Sequence, residues 1–263
     1  MTVRKTKEGK QHHIHLKKGD VGRYVLLPGD PGRCEIIASY FDNPKFIAQN
    51  REYVTYTGTL FGEKVSVTST GIGCPSTAIA VEELIAVGAD TFIRIGTSGG
   101  IQPDTQVGEV AIVTAAIRDE GTTKHYMPIE FPAVADIDVV FALKEGAIQA
   151  NIPYRLGISQ SKDSFYGEIE PGRMPISDYL NQRWKAWKMG GAVCSEMESA
   201  VIFVIASIHR KRAGGVMLMG GTVGVQPKTP TEIEYHNKMF DIHRAISTAI
   251  EGLKVLIEQD LKK

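Results

Sequence analysis

The feature that most constrains this chain is a repeated junction. A short apolar run ends in a glycine-rich turn, and a helical pattern begins directly after it. Residues 24–27 run into Pro28-Gly29-Asp30-Pro31-Gly32 and then a short helix over 33–41. Residues 65–70, rich in β-branched side chains, run into Gly71-Ile72-Gly73-Cys74-Pro75-Ser76, after which residues 77–87 carry apolar side chains at helical spacing until Gly88 stops them. Further strands are expected over 91–95, 110–117, 154–159 and 216–219, and helices over 137–150 and 198–208. The segment 232–261 places Ile242, Ile246, Ile250, Leu253 and Ile257 at steps of three and four, which predicts one long amphipathic helix capping the fold. This alternation predicts an αβα layered domain with a largely parallel central sheet. No repeat, low-complexity tract or linker divides the 263 residues, so one domain is expected over 1–263, with residues 1–12 flexible.

Charge narrows the class of ligand. The 30 basic and 30 acidic residues cancel, so no overall field draws the protein to nucleic acid or an anionic membrane, and a small ligand is expected. Cys34, Cys74 and Cys194 are odd in number and lack CxxC spacing, which argues against a disulfide framework or a zinc site and for reduced, buried thiols. Residues 1–20 have no apolar signal-like region, and no run approaches the roughly 18 apolar residues a membrane span needs. A soluble cytoplasmic protein is expected.

Three arginines stand out beside small or turn-forming residues: Arg33, Arg51 and Arg94. A guanidinium fork can clamp a tetrahedral oxyanion, and the glycine turns let backbone amides approach one. Arg94 lies within an otherwise apolar strand, so it must find an anion, either a ligand or an internal carboxylate. Glu196 and Glu198 flank Met197 just before an apolar helix. Such carboxylates commonly cap a helix; in the functional reading Glu198 accepts hydrogen bonds from two adjacent sugar hydroxyls. Phe165 and Tyr166 can face a flat base or belong to the core. His12, His13 and His15 read as solvated histidines, one of which can reach a site as a hydrogen-bonding group. The turn at 71–76 lacks the third glycine of a dinucleotide fingerprint, so a Rossmann cofactor site is not expected.

Seven stretches together carry a resemblance: PGDPGR at 28–33, NRE at 50–52, STGIGCPSTAIAVEEL at 69–84, RIGTSGGIQPDTQVGEV at 94–110, EFPAVAD at 130–136, DSFYG at 163–167 and SEMESA at 195–200. From His15 to about Met219 the chain resembles the nucleoside phosphorylases of the hexameric purine/uridine type, and within them the uridine phosphorylase branch; after that the likeness is weak. The resemblance implies a three-layer αβα fold with a mixed, partly barrel-like central sheet. It implies that Gly29, Arg33, Arg94 and Thr97 hold phosphate, with Arg51 contributed by a neighbouring subunit. Glu198, Met197 and Arg94 would hold the ribose hydroxyls, and His15 would reach across the same interface to the 5′-hydroxyl. Thr97, Gly99 and Phe165 would line the base pocket. Glu52, Ile72 and Ser76 match positions that in some members bind a monovalent cation, K+, between subunits. The implied assembly is a homohexamer built as a trimer of dimers, with phosphate as co-substrate, no resident cofactor, and a role in pyrimidine nucleoside salvage.

The implied reaction is phosphorolysis of uridine, and of 2′-deoxyuridine, to uracil and the pentose 1-phosphate. Held phosphate stabilises positive charge on the sugar and then captures it, with no covalent enzyme intermediate. At one place the chain departs from the resemblance. The glutamine that receives the base falls on Glu168, and the accompanying arginine has no clean match. An ionised Glu168 accepts a ring N–H but repels a departing base anion, so a compensating cation is expected, either Lys162 or Arg173. Lys162 in a polar segment can instead be merely solvated. Gly220 and Gly221 replace bulkier aliphatic residues, which leaves purine or cytidine phosphorolysis, or nucleosidase activity, as alternatives.

Overall fold

Both junctions form where the glycine turns place them. The computed structural model describes residues 5–262. Strand β1 (Tyr24–Pro28) leads through the first turn into α1 (Arg33–Ala38). A hairpin of β2 (Asp42–Asn50) and β3 (Tyr53–Leu60) then joins β4 (Glu63–Thr68), which leads through the second turn into α2 (Cys74–Ala86). The chain continues as β5 (Thr91–Gly100), β6 (Val107–Asp119), β7 (Ala133–Val134), α3 (Ile137–Gln149), β8 (Tyr154–Lys162), α4 (Phe165–Ile169) and α5 (Ser177–Met189). It ends with β9 (Cys194–Glu196), α6 (Ser199–Ile208), β10 (Arg212–Thr222), α7 (Pro230–Met239) and α8 (His243–Leu261).

The central sheet is mixed, and this corrects the largely parallel sheet that alternation predicts. The strand order is β10-β6-β8-β9-β5-β1-β4-β3-β2, and β10 also pairs with β5. Strands β5, β10, β6, β8 and β9 therefore close on themselves as a barrel, and β1, β4, β3 and β2 extend from it as an arm. Strand β1 runs parallel to β4 and β5, whereas β2, β3 and β4 meander antiparallel, and β6 runs antiparallel to β10. The closed, partly barrel-like mixed sheet agrees with the architecture that the resemblance implies.

The elements that escape sequence reading have physical reasons to do so. Strand β2 is largely exposed, contains Pro44 and has two register shifts, all marks of an edge strand without an apolar face. Helix α5 buries none of its residues, so it has no apolar stripe to betray it. The expected long C-terminal helix is two helices, because Phe240 leaves helical geometry at ψ 62. In α8 the stripe of Ile246, Ile250, Leu253 and Ile257 is buried as the spacing predicts. Helices α3 and α8 pack closely, and a Cβ on Gly146 would lie 2.3 Å from the Gly252 nitrogen, so the crossing requires glycine. Helix α6 is buried from Ser199 to Ala206 and packs against α2, β6 and β10.

Three strands outlast the apolar runs that announce them. Strand β5 continues through Gly96–Gly100, β6 to Asp119 and β8 to Lys162. Their polar ends carry most of the candidate site. Of the expected flexible segment, residues 1–4 lie outside the described residues, and residues 5–11 fold back through a bridge between Lys5 and Gln11. No helix among the described residues is long and apolar enough to cross a membrane.

Candidate active site

The register of β1, β5 and β10 places Arg94 at the centre of the sheet, opposite Leu27 on one side and Gly215 on the other. Room for its guanidinium comes from glycines. A Cβ on Gly29 would lie 3.4 Å from Arg94 Nη1, one on Gly96 would lie 3.0 Å from Nη2, and one on Gly215 would lie 3.3 Å from Arg94 Cβ. Arg94 is 5% exposed; Nη2 donates to Glu198 Oε2 at 2.5 Å, and Nη1 reaches the Leu27 and Ile95 carbonyls at 3.4 Å. Its Nε–H is buried and has no acceptor among the described residues. A buried donor without an acceptor is a substantial cost that an oxyanion ligand removes. Arg33, from the first turn of α1, has its guanidinium 3.8 Å from Asp30. Burial lowers its pKa, Asp30 opposes this, and the positive charge of Arg94 lowers it further, so the two guanidiniums share one electrostatic neighbourhood. Two nearby cations and a glycine turn make a site for a doubly charged oxyanion.

Glu196 and Glu198 are engaged in different ways. Glu196 is structural: its Oε2 accepts the N–H groups of Glu198 and Ser199 at 2.8 Å each, and its Oε1 accepts the hydroxyls of Ser159 and Ser161. It caps the first turn of α6. Glu198 instead accepts from Arg94 and, at 2.6 Å, from the N–H of Gly73. Gly73 has φ 91, a left-handed value suited to glycine, which lets the turn present its amide to the carboxylate. Burial raises the pKa of Glu198; Arg94 pulls it down, and Glu196 pushes it up again. The half-buried Met197 lies between them, its carbonyl accepting from the Cys74 thiol at 3.2 Å. All three cysteines are free, and burial pushes the thiols up, to about 12 for Cys34, so none is an activated nucleophile.

On the far side of Gly99, which pairs with Ser195, lies a second polar cluster. Lys162 is buried at the end of β8, which corrects its reading as a possible solvated lysine. Its Nζ is 3.0 Å from Glu168 Oε1 and donates to Ser195 Oγ at 2.5 Å. Ser195 shares its proton between Glu168 Oε2 at 2.8 Å and Gln160 Oε1 at 3.0 Å. Gln160 in turn donates to Asp119 at 2.6 Å, and Asp119 pairs with Arg183. The compensating cation is thus paired with Glu168 within the fold. Arg173, the other candidate, pairs with Glu170 in an exposed position. Phe165 and Tyr166 are exposed, edge to face at 5.4 Å, rather than part of the core. The space beside Gly220 and Gly99 is partly filled from the following segment, where Phe240 and Val223 stand against those glycines. Sequence reading missed Ser195, Gln160, Val223 and Phe240; only Ser195, inside the SEMESA stretch, carried a signal.

The remaining predicted residues gather at the arm of the sheet. His15 is half-buried with φ 54, and Arg51 is exposed in the turn between β2 and β3, also with φ 54. The side chain of Glu52 and the hydroxyl of Ser76 converge on Gly71, where a Cβ would lie 2.8 Å from Glu52 Cγ and 3.1 Å from Ser76 Oγ. Ser76 Oγ is 3.4 Å from the carbonyl of the exposed Ile72. Among the described residues no group of three histidines, cysteines or carboxylates has the arrangement of a metal site.

The profile of the phosphorylase superfamily matches residues 23–250. A uridine phosphorylase of Treponema pallidum is 52% identical over 250 residues, spanning 95% of this chain and 95% of its own length. A uridine phosphorylase of Thermococcus kodakarensis is 49% identical, spanning 80% of this chain and 77% of its own. A guanosine phosphorylase of Halorubrum lacusprofundi is 36% identical, spanning 94% of this chain and 99% of its own. The likeness therefore continues past Met219 into α8, further than the motifs alone indicate.

Proposed function

The chain belongs to the phosphorylase superfamily, and we propose that it cleaves uridine with inorganic phosphate, as a pentosyltransferase of pyrimidine nucleoside salvage. The products are uracil and α-D-ribose 1-phosphate, and 2′-deoxyuridine reacts in the same way. The observation that carries this reading is the buried Arg94, tied to Glu198 by one nitrogen, with an Nε–H that has no acceptor among the described residues and a charge that acts on Arg33.

Phosphate is held by the Gly29 turn, Arg33, Arg94 and Thr97, with Arg51 supplied by a neighbouring subunit. Glu198 accepts the ribose 2′- and 3′-hydroxyls, beside Met197, and so fixes the sugar over the phosphate. As the glycosidic bond lengthens, positive charge grows on the sugar ring. The phosphate dianion stabilises that charge and then forms the new C1′–O bond from the face opposite the base. The phosphate proton balances the reaction by passing to the departing uracil.

Uracil leaves against Thr97, Gly99 and Phe165. Glu168, whose Oε1 lies 3.0 Å from Lys162 Nζ, offers a carboxylate acceptor suited to the ring N–H of uracil. The pair is neutral overall and repels a departing base anion less than a lone carboxylate does. Cytosine presents a bare ring nitrogen to that acceptor and is disfavoured. The assembly we propose is a homohexamer made as a trimer of dimers, in the cytoplasm. Glu52, Ser76 and the Ile72 carbonyl offer the oxygen ligands that suit K+, and we assign that ion to them.

The test is release of free base from uridine, 2′-deoxyuridine, cytidine and guanosine, each with and without phosphate. Uracil release that requires phosphate supports the proposal. Guanine release in preference to uracil transfers the reading to a purine nucleoside, and phosphate-independent release refutes phosphorolysis.

A further inference from the structure

Ahead of β1, residues 11–16 form a tight turn that the reaction above does not explain. The Gln11 N–H donates to the Leu16 carbonyl at 2.7 Å, and the His15 N–H to the Gln11 carbonyl at 3.2 Å. Ile14 and Leu16 are both buried and anchor the turn in the core. Between them His15 holds φ 54, a left-handed value that a non-glycine residue keeps only where its surroundings impose it.

The surroundings here centre on one carboxylate. Glu83, in the interior of α2 and 4% exposed, accepts the His13 N–H at 3.0 Å and the Ile14 N–H at 2.9 Å on Oε2; its Oε1 meets His13 Nδ1 at 2.7 Å. A buried carboxylate is costly unless hydrogen bonds satisfy it, and these partners all come from the turn that carries His15. The carbonyl of the same His13 accepts from Asn50 Nδ2 at 2.6 Å. Asn50 precedes Arg51, the other residue held at φ 54. One carboxylate and one amide thus fasten both left-handed residues to a single point.

We propose that Glu83, acting through His13 and Asn50, is a positioning residue that sets His15 and Arg51 as one unit for the active site of a second copy of the chain. This rests on the proposed function, in which His15 meets the sugar 5′-hydroxyl and Arg51 the phosphate. Fastened together, the two donors enter the neighbouring site in fixed relative geometry, and one displacement moves both.

The experiment compares folded Glu83→Gln and Asn50→Ala assemblies with the unchanged protein by steady-state kinetics. Glu83→Gln keeps the side-chain volume but loses an acceptor oxygen. KM for uridine and KM for phosphate are expected to rise together by roughly tenfold to a hundredfold, the scale of a misplacement near 1 Å, with a smaller change in kcat. Asn50→Ala frees the Arg51 turn alone and is expected to raise mainly the KM for phosphate; it serves as the test where Glu83→Gln folds poorly. Unchanged KM values in both variants, even with a lowered Tm, overturn the proposal, as does a rise in only one KM for Glu83→Gln.

Co-assembly of Glu83→Gln chains with Arg94→Ala chains separates this from the shared-site reading. In a mixed dimer with shared sites, one site combines an intact Arg94 with an intact turn, so a component of normal KM appears at about a quarter of full turnover per chain for random pairing, beside the raised-KM sites of the Glu83→Gln homodimers. Raised KM values throughout, with no component of normal KM, keep the positioning role of Glu83 but place His15 and Arg51 in their own subunit's site, which overturns their delivery to a second copy.

Discussion

Replacing Glu198 by glutamine tests what that carboxylate does with its free lone pairs. Each oxygen is already engaged once, Oε1 by the Gly73 N–H and Oε2 by Arg94, and each retains capacity for one ribose hydroxyl. A hydrogen bond to a charged acceptor contributes about 1.5–3 kcal/mol, so two give about 3–6 kcal/mol. At about 1.36 kcal/mol per decade, Glu198→Gln should lower kcat/KM for uridine by roughly 10²–10⁴-fold. The loss with 2′-deoxyuridine should be smaller by the worth of one hydroxyl contact, roughly tenfold to 150-fold, because that substrate has one hydroxyl fewer to lose. The assay is kcat/KM for both nucleosides, at saturating phosphate, with both forms of the enzyme. Equal losses for the two substrates would mean that Glu198 acts only through Arg94, and would refute its placement on the ribose.

Glu196→Gln should act in the opposite sense, on stability rather than turnover. It disturbs an acceptor of two backbone N–H groups and two serine hydroxyls, so about 1–3 kcal/mol and several degrees of Tm should be lost while kcat of the folded fraction changes little; thermal melts with parallel kinetics decide it. Lys162→Ala should leave Glu168 without its cation and lower turnover. The double variant Lys162→Ala, Glu168→Gln should recover part of the loss, and strictly additive losses would contradict their coupling. Burial, reinforced by Glu196, holds the Glu198 carboxyl above the ordinary glutamate range. Its working form is ionised, so kcat/KM should fall, as pH decreases, through a value above the usual glutamate pKa of about 4.3. Because the folded-state pKa is the higher one, the same group favours folding below its unfolded pKa and loses that contribution as pH rises through the folded value. The Tm difference between wild type and Glu198→Gln should therefore shrink across that window, and an acid limb at or below the ordinary range would contradict the shift.

The parts of the fold that were legible are those where local pattern and tertiary role coincide. The apolar stripe of α8, the glycine turns after β1 and β4, and the conflict of Arg94 with its apolar strand all survive in the structure. The sequence singles out Glu198 by resemblance, but it does not show what Glu196 does, because both precede α6. The difference comes from β8, whose Ser159 and Ser161 claim Glu196 and leave Glu198 to Arg94. The polar neighbours of Lys162 leave both a compensating cation and a solvated lysine open in sequence, and β8 carries it into the interior, where Glu168 and Ser195 satisfy it. Strand β2 and helix α5 were invisible for the converse reason, since neither presents an apolar face that periodicity can register. The barrel closure likewise depends on β10 pairing with both β5 and β6, which no local pattern encodes.

The central claim is that phosphate, held beside Arg94, is the acceptor of the pentose. It is tested most directly by phosphorus NMR of a mixture of the protein, uridine and inorganic phosphate. The account predicts a new sugar phosphate ester resonance that grows in step with uracil at the expense of inorganic phosphate. Uracil appearing with free ribose, and with the phosphate resonance unchanged, would contradict it.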